Sequence, residues 1–166
     1  MRNLLGVFVV LAASASLALA QVPAQPASTP SSKVEREKFD PKRDAAKDIA
    51  NAISKATKEN KRIILDVGGE WCGWCHKLDE FFATNAEAKK LLKDHYIVVK
   101  VNFSPENKNE TVLSKYPEIK GYPHLFVLEK DGKLLHSQDT GLLETGPAHD
   151  AAKVIPFLKK WVMPKA

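Results

Sequence analysis

Cysteine is scarce in this sequence, with two among 166 residues. That excludes a small scaffold held together by several disulfides. Glycine and proline are also sparse, at 8 and 10, too few for a collagen-like or low-complexity chain. Charge of one sign is limited: 25 Lys and Arg stand against 20 Asp and Glu, for a net charge of +5. The excess is spread along the chain, so no nucleic-acid partner is expected. Beyond residue 20 no run is long and apolar enough to cross a bilayer. What remains is an ordinary globular composition, 44% hydrophobic and 27% charged. A folded body of about 150 residues buries roughly 70% of its unfolded surface, so it needs no staples to form a core.

The one exceptional stretch is the start. Arg2 precedes an almost continuous apolar run from Leu4 to Ala13, followed by small residues ending Ala18-Leu19-Ala20. This is the three-part pattern of a secretory signal peptide, with cleavage expected after Ala20. An uncleaved anchor is the alternative; no cysteine follows the run to carry a lipid. Residues 21–38 open with a Pro/Ala/Ser-rich stretch that reads as a flexible tether. Order is expected from Phe39, giving a folded domain over 39–166. Export places it outside the cytoplasm, in the periplasm, where disulfides are permitted.

Along that domain, Asp40-Pro41 reads as a helix N-cap and first position. Ile49, Ala52, Ile53 and Ala56 then recur at helical spacing, predicting a helix over 41–59. Ile63 to Val67 suits a buried strand, broken by Gly68-Gly69. A helix is expected over 72–82, a second one capped by Asn85, and a β-branched strand over 96–103. A polar loop, a short helix over 110–116 and a strand over 125–129 follow. Asp131-Gly132 signals a hairpin into 133–137. Residues 147–162 read as a closing helix, bent or delayed by Pro156. The order predicts an α/β domain with a mixed central sheet and helices on both faces.

Both cysteines lie in Trp71-Cys72-Gly73-Trp74-Cys75-His76, at a strand-to-helix junction. A thiol at a helix N-terminus meets orphan N–H groups and the positive end of the helix dipole. Both favour the thiolate, so Cys72 is the expected nucleophile. Cys75, one turn on, can close a small disulfide ring and resolve a mixed disulfide. Three other readings stay open. C-x-x-C-H is also the attachment motif of c-type haem. It could contribute to a zinc site, although a closed site needs four ligands. The pair could also be an inert structural disulfide, which in so small a ring contributes little stability.

At these residues the chain resembles the thioredoxin family. Ile64 to Cys75 is similar to the thioredoxin active-site strand and turn, with Asp66 six residues before the first cysteine. Val99-Lys100-Val101-Asn102 resembles the strand that carries a lysine near that acid. Ile119 to Phe126 resembles the segment with the cis-proline, and Asp131-Gly132 and Gly141 match the terminal hairpin and the glycine after it. The resemblance covers residues 40–162. It implies a thioredoxin fold and a redox pair Cys72–Cys75 that works without a bound cofactor or metal. It makes Asp66 a buried acid that takes the proton from Cys75, directly or through water, and Lys100 the residue that tunes it. Pro123 is implied to be cis and to face the pair. The backbone of Tyr122 is implied to pair with an extended substrate segment, and Trp71, Gly73 and Trp74 to line the substrate side. The chain departs from the pattern at Gly68-Gly69, at Gly73-Trp74 and at the bulky Tyr122. The dipeptide between the cysteines and the residue before the proline tune potential and partner choice.

The function so implied is extracytoplasmic thiol–disulfide exchange on protein thiols and disulfides, by a monomer, with the reducing direction favoured. A reductase outside the cytoplasm needs a membrane redox partner as electron donor. A binding adaptor or chaperone of the same fold, without turnover, is the alternative class.

Overall fold

The computed structural model of the protein describes residues 36–164. The expected signal peptide and all but the last residues of the expected tether lie outside this range.

Helix α1 runs over Ala45–Glu59, and strand β1 over Arg62–Gly68. Helices α2 (Gly73–Thr84) and α3 (Ala86–His95) follow, with Asn85 ending the first and capping the second. Then come β2 (Tyr96–Asn102), a single helical turn α4 (Glu110–Leu113), and the strands β3 (His124–Leu128) and β4 (Leu134–Asp139). A 3₁₀ turn over Thr140–Leu143 leads to the short strands β5 (Glu144–Thr145) and β6 (Ala148–His149), and α5 (Ala151–Lys160) closes the domain.

The four main strands form one mixed sheet in the order β2-β1-β3-β4. β1 pairs parallel with β2 and antiparallel with β3, which puts it in the middle. This is why Ile63 to Val67 is almost wholly apolar: both faces of β1 are covered. Ile63, Leu65 and Val67 face α1, whose Ile49, Ala52 and Ala56 pack on them. Ile64 faces the other way, toward Leu78 of α2 and Val154 and Leu158 of α5. Side chains alternate along a strand, so the next residue on that second face is Asp66. It lies opposite Lys100 in the parallel register. The sheet therefore delivers an acid and a lysine side by side beneath α2.

Two element starts differ from the sequence reading. Helix α1 is capped by Asp44, whose side chain accepts from the amide of Lys47 at 3.0 Å, and not by Asp40. Asp40 instead takes the amide of Lys42 at 2.9 Å and closes a turn through Pro41. Phe39 is fully buried under the sheet's end, so the chain must turn before the helix can start. The closing helix begins at Ala151 with Asp150 as its cap, not at Pro147. Residues 144–149 form the β5–β6 hairpin around Gly146, whose φ of 60° favours glycine. Two-residue strands carry too little alternation to be read. Pro156 sits inside α5 on its exposed side, where the carbonyl it leaves unpaired can be hydrated.

Candidate active site

Cys72 and Cys75 form a disulfide at the N-terminus of α2, with Cα atoms 5.2 Å apart. Cys72 is the helix N-cap, and its Sγ accepts from the backbone N–H of Cys75 at 3.1 Å. A sulfur thus occupies the position usually given to a Ser or Asp oxygen, aimed at the orphan amides of the first turn. Both cysteines are buried, packed with Phe39 and edged by Trp74 and Tyr122. The β1 end comes very close: a methyl group on Gly68 would lie 2.5 Å from Cys75 Sγ. Glycine is required there so that the sulfur can sit against the backbone.

Beneath the pair lies a buried charge cluster. Lys100 Nζ donates to Asp66 Oδ2 at 2.6 Å and also to Asp79 Oδ1. Asp79 is on α2, one turn after Cys75, and sequence reasoning missed it. Its signal is the i+4 spacing from Cys75, which places both on the helix face that meets the sheet. Burial draws the Lys100 ammonium toward deprotonation, but the two carboxylates outweigh it and hold its pKa above that of an ordinary lysine. Asp79 is governed by its burial, which raises its pKa and is only partly offset by Lys100. Two acids share one lysine, so the cluster can take up a proton. Asp66 is 1% exposed, and its Oδ1 has no hydrogen-bond partner among the described residues. The expected Asp66–Lys100 pair is present, with Asp79 as an additional member.

Tyr122-Pro123 is a cis peptide, and the Pro123 carbonyl accepts from the Thr140 hydroxyl. Tyr122 packs against the cysteines, stacks on Phe103 with centroids 4.9 Å apart, and meets the edge of Trp71 at 5.6 Å. Trp71 is 57% exposed, an unusual setting for so large an apolar ring. Its Nε1 donates to the Phe103 carbonyl at 2.8 Å, and Gly69 makes room for it, since a Cβ there would lie 2.3 Å from Nε1. Beside Trp71 lies an open groove of about 670 Å³ walled by Pro41, Phe103 and Pro105. Gly73 is exposed with open space around it. Trp74 meets His149 edge-on at 5.5 Å and carries Lys77 Nζ over its face at 4.0 Å. Burial lowers the His149 pKa, which keeps the ring neutral. All the expected residues therefore converge on one end of the sheet. His76, which the haem motif would use as an iron ligand, lies against Arg36 at 3.3 Å and Glu70 at 3.8 Å.

These features define a thioredoxin-fold protein with a C-x-x-C disulfide above a buried carboxylate–lysine cluster. Residues 44–130 match the family described as thioredoxin-like, and the chain belongs to it. Disulfide bond reductase DsbH of Chlamydia pneumoniae is 29% identical over 119 residues, 66% of this chain and 70% of that protein. A disulphide isomerase structure from Xylella fastidiosa Temecula1 has a TM-score of 0.64 at 25% identity, covering 74% of this chain and 94% of that one. Spermatogenesis-associated protein 20 of Homo sapiens is 45% identical over 51 residues, 31% of this chain, and the chain spans 6% of that protein's length.

Proposed function

We propose that the protein is an extracytoplasmic thiol–disulfide oxidoreductase that reduces protein disulfides. The observation that carries this is the Cys72–Cys75 disulfide at a helix N-cap, at the same end of the sheet as a buried acid, Asp66, whose Oδ1 has no partner among the described residues. The names of DsbH and of the Xylella disulphide isomerase support the reaction class, and that of DsbH supports the reducing direction. The apolar start of the sequence supports export to the periplasm.

In the proposed cycle the reduced protein holds Cys72 as a thiolate, stabilised by the amides of the α2 N-terminus. It attacks a substrate disulfide, forms a mixed disulfide, and releases one substrate thiolate. The extended substrate segment lies along Tyr122 and Pro123, with Trp71, Gly73 and Trp74 around it. Cys75 then gives its proton to the carboxylate cluster at Asp66, directly or through water, under the tuning of Lys100. Its thiolate attacks Cys72 Sγ, and the second substrate thiolate leaves. The protein is now oxidised, and a membrane dithiol donor returns two electrons.

Cys75→Ser tests this. The variant is expected to accumulate Cys72-linked adducts with proteins of the same compartment, visible as bands that collapse on reduction, and Cys72→Ser is expected to accumulate none. An absence of adducts, together with no reduction of insulin disulfides by the wild type, sinks the enzyme reading. It would leave the exposed Trp71 beside its groove as a client-binding surface.

A further inference from the structure

The stretch 36–39 precedes every helix and strand described above, yet it completes the redox site. The Phe39 amide donates to Glu70 Oε1 at 2.9 Å, which fixes the chain against the β1–α2 loop. The Phe39 ring has no exposed surface and packs against both cysteines. Lys100 Nζ lies over its face, 4.3 Å from the centroid. The bare backbone of Gly68 faces both the ring and Cys75 Sγ, since a Cβ there would lie 3.1 Å from Phe39 Cζ and 2.5 Å from the sulfur. Three residues upstream, Arg36 Nη1 donates to Glu70 Oε1 at 2.9 Å and reaches Asp79 Oδ2 at 3.5 Å. Hydrogen bonds from Arg36 hold the Glu70 pKa down at about 2, so the pair stays charged at neutral pH.

We propose that Arg36 and Phe39 are positioning residues of the redox site, Phe39 as the cover that keeps water from Cys75 and the Lys100 cluster, Arg36 as the latch and second cation. The proposal rests on the redox reading above. The charges support it: Asp66 and Asp79 face one buried lysine, and Arg36 adds a second cation beside Asp79. The ring supports it too, because an ammonium that donates to two carboxylates offers its remaining side to an aromatic face instead of water. On reduction the donor dithiol closes to its own disulfide, the Cys72–Cys75 bond breaks and takes up the two electrons, Cys72 keeps a sulfur anion, Cys75 Sγ takes one of the donor's two protons and the other passes to solvent. Phe39 then covers the thiol that must later lose that proton to the cluster.

The test uses the full chain and site-resolved alkylation of the reduced protein. Wild type is first equilibrated with glutathione; if Cys72–Cys75 does not exchange, the redox reading itself fails, separately from this proposal. Phe39→Ala is expected to speed alkylation of Cys75 about tenfold, because the cover and its packing are lost. Phe39→Leu is expected to stay within about twofold, since an apolar cover remains. Arg36→Gln is expected to move the pH profile of Cys72 alkylation upward and to slow it about threefold at pH 7, with Arg36→Lys restoring most of the rate. The other charged or titratable groups packed about the cysteine pair, the Lys100 cluster and Arg36 include Tyr122 before Pro123, Asp66 on β1, Lys100 on β2, His76 and Asp79 on α2, Glu70 in the preceding loop and His149 on β6. They are unchanged in these variants. A Phe39→Ala protein that unfolds cooperatively yet protects Cys75 as wild type does overturns the cover. An unmoved pH profile in Arg36→Gln, a change at a partly exposed side chain that does not endanger folding, overturns the latch.

Discussion

Replacing Lys100 by methionine removes the common partner of two buried carboxylates while keeping most of the side-chain volume. The lysine side chain is 7% exposed, Asp66 1% and Asp79 6%, so water cannot substitute for it. Breaking a buried ion pair by deleting one partner costs about 3–5 kcal/mol. Arg36 remains 3.5 Å from Asp79 and compensates part of that loss. The lower end is therefore expected, about 3 kcal/mol at pH 7, or more than a hundredfold in the unfolding equilibrium. The pH dependence has a definite sign. In the wild type the Lys100 pKa is raised, so its contribution is complete at neutral pH and is lost only as pH climbs through the folded value. The Asp79 pKa is also raised, so the folded protein holds this proton more tightly than the unfolded chain, and its burial penalty is relieved as pH falls through the folded value. Without the lysine, Asp79 is protonated more readily still, and the deficit should shrink on going from pH 7 to pH 5. Urea unfolding of the oxidised protein, followed by circular dichroism at both pH values, measures this. A penalty below about 1 kcal/mol at pH 7, or one equal at both pH values, refutes the reasoning. The double variant Lys100→Met/Asp79→Asn should regain half of the loss or more.

Other outcomes follow from single contacts. Gly68→Ala forces a methyl to 2.5 Å from Cys75 Sγ, and should lower stability by about 1–3 kcal/mol in thermal unfolding. An unchanged melting temperature would contradict that close approach. Asp44→Ala should cost about 1 kcal/mol by uncapping α1, whereas Asp40→Ala should cost less; the reverse order in chemical denaturation would move the helix start back to Asp40. Trp71→Phe removes the hydrogen bond to the Phe103 carbonyl, worth about 1 kcal/mol. It is expected to reduce kcat/KM for protein disulfides more than for a small disulfide, and equal effects on both would contradict the proposed place of Trp71 at the substrate side.

The legible parts of this protein are those where one short window carries the whole signal. The apolar run of β1 and the β-branched run of β2 mark adjacent strands, and their parallel register then brings Asp66 to Lys100. Asn85 as a shared cap and Asp131-Gly132 as a turn are readable for the same reason. Asp79 is not, because an acid among Lys77, Asp79 and Glu80 looks like part of a solvated helix face. Only the docking of α2 on the sheet turns it inward. Arg36 and Phe39 carry no periodic signal, since their partners are made by contacts across more than thirty positions of chain. The start of α1 is not legible in the same way: Asp40-Pro41 has the local form of a cap, but the burial of Phe39 makes the chain turn there and Asp44 caps the helix.

The sulfur that caps α2 gives the helix an unusual dependence. As part of a disulfide, Cys72 Sγ is a weak neutral acceptor for the amide of Cys75. In the proposed cycle, reduction makes this same capping atom the Cys72 thiolate. An anion at that position would bind the first turn of α2 more firmly than the neutral disulfide sulfur does. Linkage runs both ways: whatever the helix gains from the electrons, the electrons gain from the helix. A perturbation that frays the start of α2 should therefore weaken the protein's hold on its reducing equivalents, even if it touches neither sulfur.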